Sequence, residues 1–417
     1  MPVTAPPRRA SAAIAAALAL TAVVSTVPQP AHAGPRVAPV PGSAARICQL
    51  TGDTDRATGL PTANLTGLRS GFWGTDLGAS FEHRGRLVVL FGDTHGSPGV
   101  GRPADGDVIA FSDDRDPHDC LSLDVVADED GRYRPISVPG VDLGVFGVPT
   151  GGVSDGRSIW VFLTTDNSAE RPMNRSVLAR SDDEGRTFRR VRDVSRGTFI
   201  NVSPVAVPAS EVPEVPAGAD GDEPVVLMWA SGAYRRSDVR LAATPLSRIG
   251  EADATVYFAG PDPATGAPRF STREADAVPL TGEACVGELS VARIAPLGVW
   301  AMLYNCGNPD GRILLRTAER PWGPWSPSSV LFDPVRDGAF CGFMHAGAGA
   351  PADCARISDP HSRHVRGDAY GPYVVDRFTR ALGPGRAEIV FALSTWNPYA
   401  VVLMRAELER RGSVPGS

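Results

Sequence analysis

"GTDLGASFEHRGRLVVLFGDT", residues 74–94, holds two apolar runs on either side of one Arg-Gly pair. The second run is rich in branched and aromatic residues and ends in small or polar ones, as strands do, and the first is a candidate strand before it. Arg84-Gly85 then reads as the two-residue turn of a hairpin. Counting outward from that turn, Asp76 stands directly opposite Asp93. The second run, "RLVVLFGD", recurs as "SIWVFLTT", "PVVLMWASG", "VWAMLYNCG" and "EIVFALSTW", at gaps of about 72, 66, 75 and 89 residues.

Each recurrence brings its neighbours with it. A strand-like run precedes it ("TDLGASFE", "GVPTGGVS", "INVSPVAV", "GELSVARI", "GPYVVDRF"), and another follows ("DVIAFSDD", "SVLARSDD", "DVRLAATP", "RILLRTAE", "AVVLMRAE"). One unit of three strands, with room for a fourth, repeated five times predicts an all-β, five-bladed β-propeller. The continuous apolar runs suit strands covered on both faces. A β-helix would need a far shorter period, and a sandwich would not repeat five similar units. The last unit lacks a fourth strand, and "ARICQLTG", residues 45–52, is placed to supply it and close the ring. "SDDEGRTF", residues 181–188, matches the Asp-box turn of outer propeller hairpins and is read as structural. Trp322 and Trp325 in "PWGPWS" are read as packing between blades.

Residues 1–33 read as an export signal, with Arg8 and Arg9, the apolar "AAIAAALALTAVV" and "AHA" before the cut. Residues 34–44 are read as a linker, 45–410 as the propeller and 411–417 as a tail. Net charge is −6 with no basic patch, which argues against a nucleic-acid partner. No later stretch is long and apolar enough for a stable membrane span, and a monomer is expected. Six cysteines in an exported chain suggest disulfides, and spacing favours Cys48–Cys120, Cys285–Cys306 and Cys341–Cys354. "HSRH", residues 361–364, has no Cys or Glu at zinc spacing and reads as a loop, so no metal ligands are assigned. No cofactor is called for, although a structural calcium ion in the channel is compatible with the sequence.

Opposed like charges destabilise a hairpin. They also drive two carboxyl pKa values apart, which serves acid–base chemistry. Glu288 in "GELS" precedes Asn305 by the same interval that separates Asp76 from Asp93, so Glu288 is the fourth unit's counterpart of Asp76. Both then point toward the propeller axis, and Asp76, Asp93 and Glu288 are the catalytic candidates, a glycosidase-like set. Trp73, His95, Asn201, Tyr234, Arg235, Asn305, Tyr370, Tyr373 and Trp396 are the candidates for substrate binding, near the same strand mouths. If Asp76 and Asp93 form the working pair, their adjacency favours retention of configuration; Asp76 with Glu288 across the channel favours inversion. A non-catalytic carbohydrate-binding propeller is the alternative.

"WGTDLGASFEHRGRLVVLFGDTHG", "VGELSVARI", "PWGPWS" and "STWNPYAVVLMRAEL" resemble an exported, mostly actinobacterial family described as a domain of unknown function (4185). That family is similar to the endo-D-arabinanases of glycoside hydrolase family 183. The resemblance spans about Thr66 to Leu408. It implies a five-bladed propeller that cleaves within D-arabinan, the α-D-arabinofuranose polymer of arabinogalactan and lipoarabinomannan. It also implies that the acids of "TDLG" and "FGDT", Asp76 and Asp93, are catalytic, in a secreted or cell-wall-associated protein.

Overall fold

The computed structural model describes residues 36–96, 106–144, 146–168, 173–217, 221–307, 311–359, 362 and 364–411. The expected signal segment lies outside them, as do His361, most of the tail and the first two linker residues. Five antiparallel sheets follow one another along the described chain. The inner strands are Gly74–His83, Pro149–Ser154, Asn201–Pro208, Val286–Ile294 and Asp368–Val374. Each touches the inner strands of both neighbouring blades, so the five form a ring around one axis. The second strands are Arg86–His95, Ile159–Thr165, Pro224–Ser231, Val299–Cys306 and Arg386–Trp396. These carry the recurrent apolar runs and are buried almost throughout, because both faces of each are covered by adjacent blades.

The ring closes as expected. Ala45–Gln49 pairs with Ala400–Arg411, the third strand of blade 5, and so supplies that blade's outer edge. Arg36–Pro39 continues the same edge, with Arg36 opposite Arg411. This corrects the reading of residues 34–44 as a plain linker. A Pro-flanked segment is tolerated on an edge strand, where only one side needs the backbone ladder.

The apolar cores lie between successive blades. Blades 3 and 4 meet through Trp229 and Trp300, whose ring centroids are 5.0 Å apart. Trp322 and Trp325 are buried in that interface too, Trp322 against Phe258 and Phe270, so they are packing residues as expected. All three disulfides, Cys48–Cys120, Cys285–Cys306 and Cys341–Cys354, form with the expected partners. The first links the closing strand of blade 5 to blade 1. Among the described residues no helix is long and apolar enough to cross a membrane.

The Asp box is the outer hairpin of blade 2, between Arg175–Ser181 and Arg189–Ser195. Asp183 accepts from the Thr187 amide (2.9 Å) and hydroxyl (2.6 Å), and the Gly185 amide donates to Ser181 Oγ (2.9 Å). Gly185 sits at φ +78°, and a Cβ there would lie 2.7 Å from Ile109 Cδ1 in blade 1. Gly185→Ala is therefore expected to cost about 1–3 kcal/mol from backbone strain and crowding. Thermal unfolding would show the loss, and the chemistry at the axis should be untouched.

Candidate active site

The acids gather at one mouth of the axis, where the inner strands begin and the second strands end. Blade 1 brings Asp76 on its inner strand and Asp93 near the end of its second. The Arg84-Gly85 turn is as read, and His83 to Ala79 pair with Arg86 to Leu90 in the expected register. There the ladder shifts by one residue, so Asp76 faces Gly92 and not Asp93. The cause is Gly78, whose φ of +117° suits a bulge. Its backbone packs so tightly on blade 5 that a Cβ would lie 2.7 Å from Ala392 Cβ. The two acids are thus close neighbours, though not a directly opposed pair. Register shifts recur on the inner strands of blades 2, 4 and 5, the one in blade 4 lying between Val286 and Leu289, beside Glu288.

Asp76 is buried, and its Oδ2 accepts a hydrogen bond from the Tyr370 hydroxyl at 2.9 Å. Its Oδ1 is buried with no hydrogen-bond partner among the described residues. Burial, and then the charge of Asp93, hold the Asp76 carboxyl well above the usual range, against the hydroxyls of Tyr370 and Tyr399. Asp93 Oδ1 accepts from the Phe146 amide at 3.0 Å. Burial pushes its carboxyl up to about 6; the Phe146 amide opposes the shift and Glu288 adds to it. Glu288 is buried on blade 4, where Oε1 accepts from the Tyr234 hydroxyl at 2.6 Å and Oε2 lies 3.4 Å from Arg235. Arg235 also lies over the rings of Tyr234 (4.9 Å) and Tyr370 (5.8 Å), tying blades 3, 4 and 5 together at this mouth.

Asn305 Oδ1 accepts from the Gly371 amide at 3.4 Å, beside this group. The Tyr373 hydroxyl is buried without a partner among the described residues, and Glu288 and Asp76 raise its pKa beyond what burial does. Trp396 and His95 pack edge-on against Tyr399, with centroids 5.5 and 5.1 Å away. The Tyr399 hydroxyl donates to the Asp93 carbonyl at 3.1 Å. Trp73 is half-buried in an adjoining hollow lined also by Tyr399. Asn201 is buried on the inner strand of blade 3, and its Oδ1 has no hydrogen-bond partner among the described residues.

A third acid of blade 1 escaped the sequence reading. Asp107 is the second residue of blade 1's third strand, Gly106–Ser112, and is buried; its Oδ1 accepts from the Asp93 amide at 3.0 Å. That bond holds Asp93 at φ 41°, an unusual conformation for a residue with a side chain. Burial and the charge of Asp93 push the Asp107 carboxyl well up. Its signal was a charged residue leading the otherwise apolar "DVIAF", a position read simply as the start of a strand. A larger cavity of 340 Å³ lies at the other end of the axis, lined by residues such as Ser80, Gly152, Ser203, Arg293 and Asp376. It holds none of Asp76, Asp93 or Glu288, so the size of a hollow does not locate the chemistry.

Several buried carboxyls with raised pKa values set the pH dependence of stability. The folded state binds their protons more tightly than the unfolded state does. The stability they confer is full below about pH 4 and is lost as pH rises through the folded values, about 6 for Asp93 and for Asp376. The unfolding midpoint is therefore expected to fall between pH 5 and pH 7.5. Asp93→Asn should flatten part of that decline, which melting curves across the range would register.

A family model described as a domain of unknown function (DUF4185) matches residues 62–405. No curated protein matches the chain. A provisionally assigned hydrolase from Bacteroides ovatus ATCC 8483 shares the fold, at TM-score 0.50 and 12% identity over 82% of this chain and 87% of that one. A GH43_1 enzyme from Xanthomonas citri aligns at TM-score 0.42 and 11% identity, over 80% of this chain and 87% of that one. An exo-1,5-α-L-arabinanase from a bovine ruminal metagenomic library aligns at 0.41 and 8%, over 81% and 94%.

Proposed function

The chain belongs to the DUF4185 family, and from that premise we propose that it is an exported glycoside hydrolase cleaving α-D-arabinofuranosyl bonds within D-arabinan. One observation carries the hydrolase reading: Asp76 and Asp93 lie side by side at the mouth where Glu288 arrives from another blade. Buried acids at such cost to stability are a mark of acid–base sites. The arabinan specificity rests on the resemblance carried by the "TDLG" and "FGDT" motifs, and the three disulfides suit an exported protein.

Burial and the neighbouring charge of Asp93 favour the protonated form of Asp76, which is the proton donor. Its unpartnered Oδ1 is the oxygen free to deliver that proton to the leaving glycosidic oxygen as the C–O bond breaks. Asp93, whose carboxyl titrates at about 6, is largely ionised at neutral pH. It serves as base toward water or as nucleophile toward the anomeric carbon, and the carboxyl separation in the substrate complex selects between them. Glu288, held by Tyr234 and Arg235, faces the oxocarbenium-like charge that develops on the sugar ring. Because Asp76 and Asp93 interact, their two apparent pKa values belong to the pair.

The test is incubation of the exported form with mycobacterial-type arabinogalactan, followed by separation of the released sugars. Arabino-oligosaccharides are the expected product. Retained binding to the polymer with no release would leave a carbohydrate-binding propeller in place of the hydrolase.

A further inference from the structure

Beside the acids, separated from them by Tyr399, lies a second hollow of 130 Å³ whose lining includes Trp73, Asp53, Arg56 and Asp359. One wall is built around a close contact. A Cβ on Gly67 would lie 2.6 Å from Asp53 Oδ2 and 2.7 Å from the six-membered ring of Trp73. Only a glycine lets the carboxylate and the indole approach each other there. Asp53 uses one oxygen structurally: Oδ1 accepts from the amides of Gly67 (2.8 Å) and Leu68 (3.1 Å), at the start of the short helix Thr66–Ser70. Its Oδ2 is buried with no hydrogen-bond partner among the described residues. On the other wall Arg56 lies 3.5 Å from Asp359, whose other oxygen accepts from the Tyr399 amide at 2.9 Å.

An aromatic ring beside an uncommitted carboxylate oxygen, with a guanidinium across the gap, suits a sugar ring. The indole covers the C–H face, Oδ2 accepts from hydroxyls, and Arg56 donates to them. We propose that this hollow is a carbohydrate subsite, which seats the sugar residue next to the one being cleaved. Trp73 is its platform and Asp53 its hydroxyl acceptor. The inference rests on the carbohydrate reading of the neighbouring acids. Asp53, Arg56 and Asp359 act on binding and take no part in bond cleavage.

The test uses the full exported chain and linear α-D-arabinofuranosyl oligosaccharides, with turnover and calorimetric binding measured for wild type, Asp53→Asn, Trp73→Ala and Trp73→Phe. Asp53→Asn preserves the oxygen that serves the helix and converts the free one to a donor, so the fold is kept. Asp53→Asn and Trp73→Ala are expected to raise KM about ten- to hundredfold with kcat nearly unchanged, and Trp73→Phe to recover most of the loss. An active wild type with KM unmoved in Asp53→Asn and Trp73→Ala overturns the subsite and leaves the hydrolase reading standing. Wild-type binding without turnover, abolished by the same two variants, upholds the subsite and removes the hydrolase reading. A wild type that binds none of the oligosaccharides overturns both.

Discussion

Asp76→Asn is expected to slow release of oligosaccharides from D-arabinan by roughly 10²–10⁴-fold, the range that general acid catalysis contributes. The substitution keeps the shape of the side chain and an acceptor for the Tyr370 hydroxyl. It removes the acidic proton whose retention burial and the charge of Asp93 favour. Stability should not suffer, because a buried carboxyl with an unpartnered oxygen beside a second acid is itself a cost to the fold. The informative result is thus a large rate loss with an unchanged or higher melting temperature. Asp93→Asn should lose rate on a similar scale and should also remove the limb of the pH–rate profile near 6. A variant at position 76 that kept more than about a tenth of the rate would move the proton donor elsewhere, to Asp93 or Glu288.

Trp229→Ala is expected to have the largest effect on stability, about 3–5 kcal/mol. The indole is fully buried on the second strand of blade 3, packs on Trp300 of blade 4, and donates from Nε1 to the Pro321 carbonyl at 3.0 Å. Removing it leaves a cavity between two blades and an acceptor without its donor. Tyr234, Arg235 and Glu288 stand on these same two blades. Denaturant unfolding would measure the loss. Activity assayed well below the melting temperature should fall far less than in the acid variants, because no group at the mouth is removed.

The architecture was legible because each second strand is covered on both faces and so spells an unbroken apolar run. Arg84-Gly85 likewise announced its turn through composition. The exact partner of Asp76 was not legible: one extra residue at Gly78 slides the ladder, and the pressure that makes it do so comes from Ala392, more than 300 residues away. Asp107 was hidden for a similar reason. Its importance lies in a hydrogen bond to the backbone of Asp93 across a strand pair, and strand patterns describe side-chain faces only. Arg36–Pro39 looked like a linker because its partner strand lies at the opposite end of the chain. Tyr234 and Tyr370 were legible as residues near the strand mouths, but their bonds to Glu288 and Asp76 were not, because each joins two different blades and Tyr234 lies in the loop after Pro224–Ser231.

Because Ala45–Gln49 zips onto Ala400–Arg411, the two extremities of the described chain meet on one edge. Bringing them together closes a loop of about 350 residues, an entropic cost on the order of 5 kcal/mol that falls on a single seam. Blades 1 to 4 each pair strands that are neighbours in the chain and need no such event. The seam is therefore the costliest strand pairing in the ring to close, and the Cys48–Cys120 bond moors its short strand to blade 1. In a ring built this way, one covalent bond secures the edge on which that cost falls.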